Sequence, residues 1–150
     1  MNIQLYNGEQ VSTYEEDIRM LLHVCMDHNF SDAVPETFYD EKLESLKRYL
    51  SEGKAYFFAA EEAGRLRGIL WACAINTITG PKFHVLYFAV YPESQGTGIG
   101  MALLRAAEAK AAEMGITKME LLVSADNTRV VHFYEKCSYN PIRLVLEKNI

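Results

Sequence analysis

The 150-residue chain holds only three cysteines, four prolines and one tryptophan. Cys25, Cys73 and Cys137 are odd in number and widely spaced, with no C-x-x-C pair and no cysteine–histidine quartet. That pattern excludes a disulfide framework and a zinc centre, and it points to a reducing compartment, the cytoplasm. His23 and His28 lie five apart rather than at the i, i+4 spacing of helical metal ligands, so no metal is expected. Positive charge is short as well, with 15 Lys and Arg against 20 Asp and Glu for a net −5. Nucleic-acid binding needs the opposite sign, because cations must displace phosphate counterions, so no nucleic-acid partner is expected. The longest apolar runs, Gly68–Ile75 and Val85–Tyr91, fall far below the ~20 residues of a membrane span, and the N-terminal stretch lacks the basic start and apolar core of a signal peptide. No linker, repeat or low-complexity tract divides the chain, so one domain over residues 1–150 is expected, with no membrane partner.

What is present is a change of period along the chain. Ser12, followed by Glu15, reads as a capped start for a helix whose apolar face is Ile18, Leu21, Leu22, Cys25 and Met26. After Pro35 a second stripe, Tyr39, Leu43, Leu46 and Leu50, runs until Gly53 stops it. Ala55–Glu61 and Leu66–Thr77, joined through Glu62-Ala63-Gly64-Arg65, read as a hairpin. Gly80-Pro81 reads as a break, and Phe83–Tyr91 as a strand buried on both faces. Ile99–Met114 then predicts a helix, Lys118–Ser124 a strand, Asn127–Cys137 a helix and Ile142–Glu147 a final strand. With an N-terminal strand the order is β-α-α-β-β-β-α-β-α-β, an α/β fold of one mixed sheet flanked by about four helices. The sequon Asn29-Phe30-Ser31 has no meaning without secretion, and Trp71 is expected in the core.

Between the Phe83–Tyr91 strand and the following helix lies Gln95-Gly96-Thr97-Gly98-Ile99-Gly100. Three glycines in five residues let backbone N–H groups converge beside the positive end of a helix dipole, which suits a phosphate. A Walker A loop is excluded because Met101 and Ala102, not Lys and Ser/Thr, follow Gly100. The dinucleotide fingerprint lacks its third glycine at Met101, although Glu120 lies at the distance of the ribose-binding acid. A dinucleotide-dependent oxidoreductase therefore stays open as an alternative, as does a turn that serves chain geometry alone.

The spacing Gln95-x-x-Gly98-x-Gly100 after Val90-Tyr91-Pro92 resembles the acetyl-CoA pyrophosphate loop of the GNAT superfamily of N-acetyltransferases. A second element, Asn127-Thr128-Arg129-Val130-Val131-His132-Phe133-Tyr134-Glu135-Lys136-Cys137-Ser138-Tyr139, is similar to that family's Asn-x-x-Ala-x-x-Phe-Tyr-x-x-x-Gly-Phe. It departs at Val130, where a small residue is usual, and at Ser138-Tyr139, which replaces Gly-Phe. The resemblance implies a single-domain fold splayed between its fourth and fifth strands. It also implies transfer of an acetyl group from acetyl-CoA to a primary amine of a small molecule or peptide, by direct attack on the thioester. Gln95, Gly96, Thr97, Gly98, Ile99, Gly100 and Met101 would face the pyrophosphate; Phe88, Ala89 and Val90 would pair with the pantetheine; Asn127 would cap its helix and reach the same arm. Tyr134 corresponds to the tyrosine at the leaving sulfur, and His84 stands where many members carry a glutamate base, with Glu120, Ser124, Asp126 or water alone as alternatives for that base. Members often pair through edge strands, which implies a homodimer. A CoA-binding sensor without turnover is the alternative within the same fold.

Charge is divided unevenly: residues 1–64 carry 13 acids and 5 bases, residues 65–150 carry 7 acids and 10 bases. The basic part is the one resembling the CoA side. The acidic part, with Asp27, Asp32 and Glu36 around residues 26–37, would suit a cationic amine.

Overall fold

The computed structural model describes residues 1–30 and 32–150. Its elements are β1 (Asn2–Leu5), α1 (Gly8–Thr13), α2 (Glu15–Asn29), α3 (Glu36–Ser51), β2 (Tyr56–Glu62), β3 (Arg65–Thr77), β4 (Gly80–Val90), a 3-10 turn (Pro92–Ser94), α4 (Ile99–Glu113), β5 (Met119–Leu121) and α5 (Thr128–Lys136). The five strands form one sheet in sequence order, antiparallel from β1 to β4 and parallel only between β4 and β5. That is the mixed α/β fold expected. An ordering that follows the sequence also excludes a doubly wound dinucleotide fold, whose parallel sheet reverses its strand order at the binding crevice.

Strand alternation builds two cores. In β2, Phe57 and Ala59 face one side of the sheet and Phe58 and Ala60 the other, all buried. The first set packs with Ile18, Leu21 and Leu22 of α2 and with Tyr39, Leu43 and Leu46 of α3. The second packs with Leu103, Leu104 and Ala107 of α4 and with Tyr134 of α5. Both helical stripes read from the sequence are therefore core faces. Truncating a fully buried member such as Leu46 to Ala would cost about 2–5 kcal/mol.

Gly68 in β3 sets how closely α4 approaches. A Cβ there would stand 3.0 Å from the Ala89 carbonyl oxygen and 3.1 Å from Leu103 Cδ1. Only a residue without a side chain lets α4 lie against the sheet at this point, directly after the glycine turn.

Several expectations are corrected at element ends. The capped start lies at Asn7, whose side chain accepts from the Gln10 amide while the Gln10 side chain accepts from the Asn7 amide, and not at Ser12. The chain breaks at Tyr14, which caps α2 with no side-chain bond, so the expected single helix is two. The turn before β4 falls at Ile78–Thr79, and Gly80-Pro81 belongs to the strand. That strand is not buried on both faces: Leu86, near its middle, is 42% exposed. Asn127 makes no cap bond to α5. The expected strand Ile142–Glu147 has no pairing partner and is exposed throughout. Ser31, the last member of the sequon, lies outside the described residues.

The substitution of Ser138 for glycine leaves a trace in the backbone. Ser138 has φ 68°, a left-handed conformation that costs a side-chain-bearing residue roughly 1–2 kcal/mol. Ser138→Gly relieves that cost and gives back part of it as unfolded-chain entropy. A net gain of about 0.5–1 kcal/mol is expected, a rise in Tm of about 1–4 °C by calorimetry; an unchanged or lower Tm contradicts it.

Candidate active site

The site is built where β4 leaves β5. Their ladder has three pairs, Phe83 with Met119, His84 with Glu120 and Val85 with Leu121, and then stops. At the same height the register between β3 and β4 shifts: Trp71 faces Tyr87 while Ala72 faces Val85, so Leu86 is an extra residue in β4. A bulge of this kind bends the strand and strengthens its local twist. Beyond it Phe88, Ala89 and Val90 pair with Leu70, Ile69 and Gly68 on one edge only. Their other edge opens on a wedge toward β5 and has no strand partner there.

The glycine turn closes the far end of the wedge. Gly96 and Gly98 have φ of 78° and 90°, and neither would meet a heavy atom within 4 Å if it carried a Cβ. Their conformation, not crowding, demands glycine. Gly98 is the N-cap of α4 with no side-chain bond, and the first turn of α4 carries no acidic residue. The amides of the first turn, Ile99, Gly100 and Met101, have no partner within the helix and present the positive end of its dipole. Gln95 does not point outward: its Nε2 donates to the Val90 carbonyl at 3.1 Å and fastens the turn to the strand end. The Thr97 hydroxyl donates to the Ser94 carbonyl. Ile99 is buried in the second core, so only its amide is available.

Rings line the inner wall. Tyr134 is 9% exposed, and its ring lies 6.2 Å from Phe88, 5.4 Å from Phe133 and 5.8 Å from Tyr139. Burial pushes the Tyr134 phenol well above its usual range, with the nearby Cys25 and Cys137 thiols adding to the shift. The phenol is therefore held protonated. Asn127 reaches in the opposite direction from a cap, donating to the His28 carbonyl at 3.5 Å, while Ser124 donates to the Asn29 carbonyl at 3.2 Å. These two bonds tie the end of α2 across the mouth of the wedge.

His84 lies one residue before the last β4–β5 pair. Its Nδ1 is 3.7 Å from Glu120 Oε2 and has no hydrogen-bond partner, and Lys82 Nζ stands 3.8 Å from Glu120 Oε1. Glu120, which the dinucleotide alternative would have placed on a ribose, lies instead between Lys82 and the His84 ring.

The residue that sequence reasoning passed over is Cys25. It was read as one member of the apolar stripe of α2, and it is buried there. Yet the Phe88 backbone N–H and the Asn29 side chain are directed at its sulfur, against burial that pushes the thiol up. Cys25 thus faces Phe88, the second β4 residue past the bulge. A lone cysteine at core spacing carried no signal of this. Trp71 is core as expected, with its ring 5.2 Å from Tyr87. Together with Leu86, Cys73, Lys42 and Lys54 these two residues border a cavity of about 380 Å³ on the α3 side of the bulge. Among the described residues no cluster of three His, Cys, Asp or Glu could hold a metal.

The family model of the acetyltransferase (GNAT) family matches residues 16–139. A mycothiol acetyltransferase of Propionibacterium freudenreichii is 34% identical over 84 residues, 56% of this chain and 27% of that protein. Acetyltransferase SG1711 of Sodalis glossinidius is 32% identical over 63% of each chain. The chain thus spans about a quarter of the first relative and under two thirds of the second. Among solved structures, an acetyl transferase from Pyrococcus furiosus superposes with a TM-score of 0.75 at 31% identity, covering 99% of this chain and 100% of that one. A Clostridium acetobutylicum protein solved with acetyl-CoA has the same fold, with a TM-score of 0.76 at 21% identity over 99% and 95% of the two chains. The wedge, the glycine turn and the buried tyrosine therefore belong to a chain that is a member of the acetyltransferase (GNAT) family, enzymes whose acetyl donor is acetyl-CoA.

Proposed function

We propose that this chain transfers the acetyl group of acetyl-CoA to a primary amine by direct attack on the thioester. The observation that carries the reading is the β4–β5 ladder ending at Val85 and Leu121, one residue before the Leu86 bulge, with the unpartnered amides of α4 at the other end of the opened strand. The amides of Gly98–Met101 take the pyrophosphate, as a helix N-terminus takes an anion. The free edge of Phe88–Val90 pairs with the pantetheine arm, and a backbone N–H at the bulge polarises the acetyl carbonyl while negative charge builds on its oxygen.

The reaction removes two protons from the ammonium nitrogen, one before the attack and one as the carbon–nitrogen bond forms, and leaves one negative charge on sulfur; the second proton passes through water to that sulfur or to solvent. The ammonium must first become an amine, and its nitrogen then bonds to the acetyl carbon as the carbon–sulfur bond breaks. His84 is the base on β4, with Glu120 beside it to stabilise the imidazolium that forms. Tyr134 donates its hydroxyl to the departing sulfur. Because burial has raised its pKa, it stabilises the thiolate by a hydrogen bond and keeps its own proton.

The acceptor enters from the end of α2. Lys42 and Lys54 border the cavity on the α3 side, which repels a cation from that approach. On the α2 side, Glu36 is spent on Arg19 and His23. Asp27 and Asp32 remain exposed and form no ion pair among the described residues. They support a cationic amine as acceptor, and a screen in which only neutral or acidic amines were acetylated would overturn that choice.

Acetyl-CoA at about 100 times its dissociation constant should stabilise the fold by roughly 2.7 kcal/mol, a rise in Tm of about 5–10 °C. Gly98→Ala, which must hold a φ of 90°, should lose most of that shift. No shift at millimolar acetyl-CoA refutes the reading, and a shift without thiol release over an amine panel identifies a sensor instead.

Tyr134→Phe keeps the ring and removes the donor. It should lower kcat by about 10–100-fold while changing the KM for acetyl-CoA little, since the bond to sulfur forms only as the bond to carbon breaks. An unchanged kcat assigns Tyr134 to packing alone. His84→Gln should lower kcat/KM about 100-fold at neutral pH, with the deficit shrinking as rising pH delivers the acceptor already deprotonated. A deficit constant across the pH profile contradicts the role of base.

A further inference from the structure

The cavity of about 380 Å³ on the α3 side of the bulge is lined by cations, hydroxyls and rings and, among the described residues, by no carboxylate. Its size suits a small molecule. Lys42, Ser45 and Tyr49 fall at i, i+3 and i+7 of α3 and form a stripe beside the core stripe of that helix. The sheet supplies the floor. Trp71 and Cys73 lie two apart on β3 and share a face. Leu86 and Tyr87 are successive residues, which regular alternation would send to opposite faces, yet both border the cavity because β4 is bulged there.

The cavity lies next to the chemistry. His84 pairs with Cys73 across the β3–β4 ladder, and residues directly opposite one another project from the same face with Cβ atoms about 4.5–5.5 Å apart. The base on β4 therefore stands beside the cavity, and an acceptor whose amine reaches His84 lays its remaining atoms there.

The potential inside is positive. Lys42 forms no ion pair among the described residues, and its ammonium lies 5.4 Å from the centroid of the Phe38 ring. Lys54 is less free, since Glu52 holds it at 3.2 Å. Burial pushes the Tyr87 phenol and the Cys73 thiol up, so both stay protonated and bring no negative charge. The Trp71 indole N–H is buried and has no acceptor among the described residues, which is uncommon for a buried donor. An unpaired ammonium, hydroxyls and a donor without an acceptor around one cavity match an oxyanion with several lone pairs.

We propose that this cavity holds an anionic group of the acceptor, a carboxylate or a phosphate, with Lys42 as its counter-charge, so that the substrate is an amine that also carries an acid. The proposal rests on the acetyl-transfer reading, from which the acceptor's place beside His84 follows. The two ends of such a molecule divide between the flanks, its ammonium toward Asp27 and Asp32 and its anion toward Lys42. Lysines that turn away a bare cation thus orient a molecule bearing both charges.

Trp71 is the single tryptophan of the chain, so its fluorescence reports on the cavity without any turnover. The probes are β-alanine and phenylalanine, each against its own amide, and phosphoethanolamine against ethanolamine, titrated with and without CoA. The amine is cationic in all of them. An anionic member should change the Trp71 emission saturably and bind about tenfold or more tighter than its partner, the scale of one hydrogen-bonded charge. Lys42→Gln, at a half-buried helix position that glutamine suits, should abolish that preference, and Lys42→Arg, which keeps the charge, should retain most of it. In the acetyl-transfer assay the same preference should appear in KM, with kcat nearly equal within a pair. Whichever of carboxylate and phosphate binds tighter identifies the group.

Equal responses within every pair, no response to any anionic member, or a preference that survives Lys42→Gln overturns the proposal. Thiol release that ignores the acid overturns it while sparing the acetyl-transfer reading. A preference in the emission that depends on Lys42, without thiol release from any amine, leaves the anion site standing and refutes acetyl transfer.

Discussion

Everything in this structure that concerns chemistry hangs on a ladder that stops. Three parallel pairs join β4 to β5, and the next residue of β4 is the bulged Leu86. Had the ladder continued, residues 88–90 would have spent both edges on the sheet, and no extended ligand could pair there. Two strands cannot simply be left apart in a protein interior, because each unpaired amide costs about 1–3 kcal/mol when dry. Here the wedge stays open because its two sides are held independently. β4 is fixed by ten paired positions against β3, and the turn after it is drawn back by Gln95 on the Val90 carbonyl. The far side is held by α5, whose Phe133 and Tyr134 rings pack against Phe88, and by Cys137, whose Sγ lies 3.7 Å from Met101 Sδ at the first turn of α4.

The two layers divide the labour. The α4–α5 layer brings a helix N-terminus, uncapped by any side chain and free of first-turn acid, to the end of β4. The close approach permitted by Gly68 allows that helix to sit where its amides point along the strand. The α2–α3 layer brings Cys25 and the carbonyls of His28 and Asn29 to the opposite lip. The wedge thus opens between two layers that meet at the sheet and at the end of α2, where the Ser124 and Asn127 bonds cross. No backbone pairing joins the α2–α3 connection to the glycine turn, so changes in one can leave the other undisturbed.

How much of this could be read from residues alone follows from the range of the forces involved. The turn at Gln95–Gly100 was legible because positive φ at Gly96 and Gly98 is a local demand that glycine meets in any context. Tyr39, Leu43 and Leu46 were legible because helix period and burial coincide. The bulge at Leu86 was not, because it is a mismatch between two strands and neither strand alone records it. The start of the first helix was misread at Ser12 because a serine three residues before a glutamate satisfies the capping rule on paper. Asn7 and Gln10 satisfy it in space, and Tyr14 then breaks the helix between them and the apolar stripe. Cys25 looks like packing because it is packing; its nearness to the Phe88 amide across the layer joins residues far apart in sequence, which the sequence does not record.

The net charge of −5 takes its meaning from the same geometry. Sequence arithmetic put the acids in the first part of the chain and the bases in the second, but a charge acts only where it is not already paired. Lys47 meets Glu15, and Arg19 bridges to Glu36 and Asp40, so much of the acidic excess is consumed in fastening α2 to α3. Such exposed pairs are worth about 0–1 kcal/mol each. Their larger effect is to strip the surface of candidates, leaving Asp27 and Asp32 beside the wedge mouth while Lys42 and Lys54 border the cavity on its other flank. The contrast in charge thus lies between two flanks, not in the total. At the glycine turn the dipole and the unpartnered first-turn amides of α4 supply positive potential without a charged side chain.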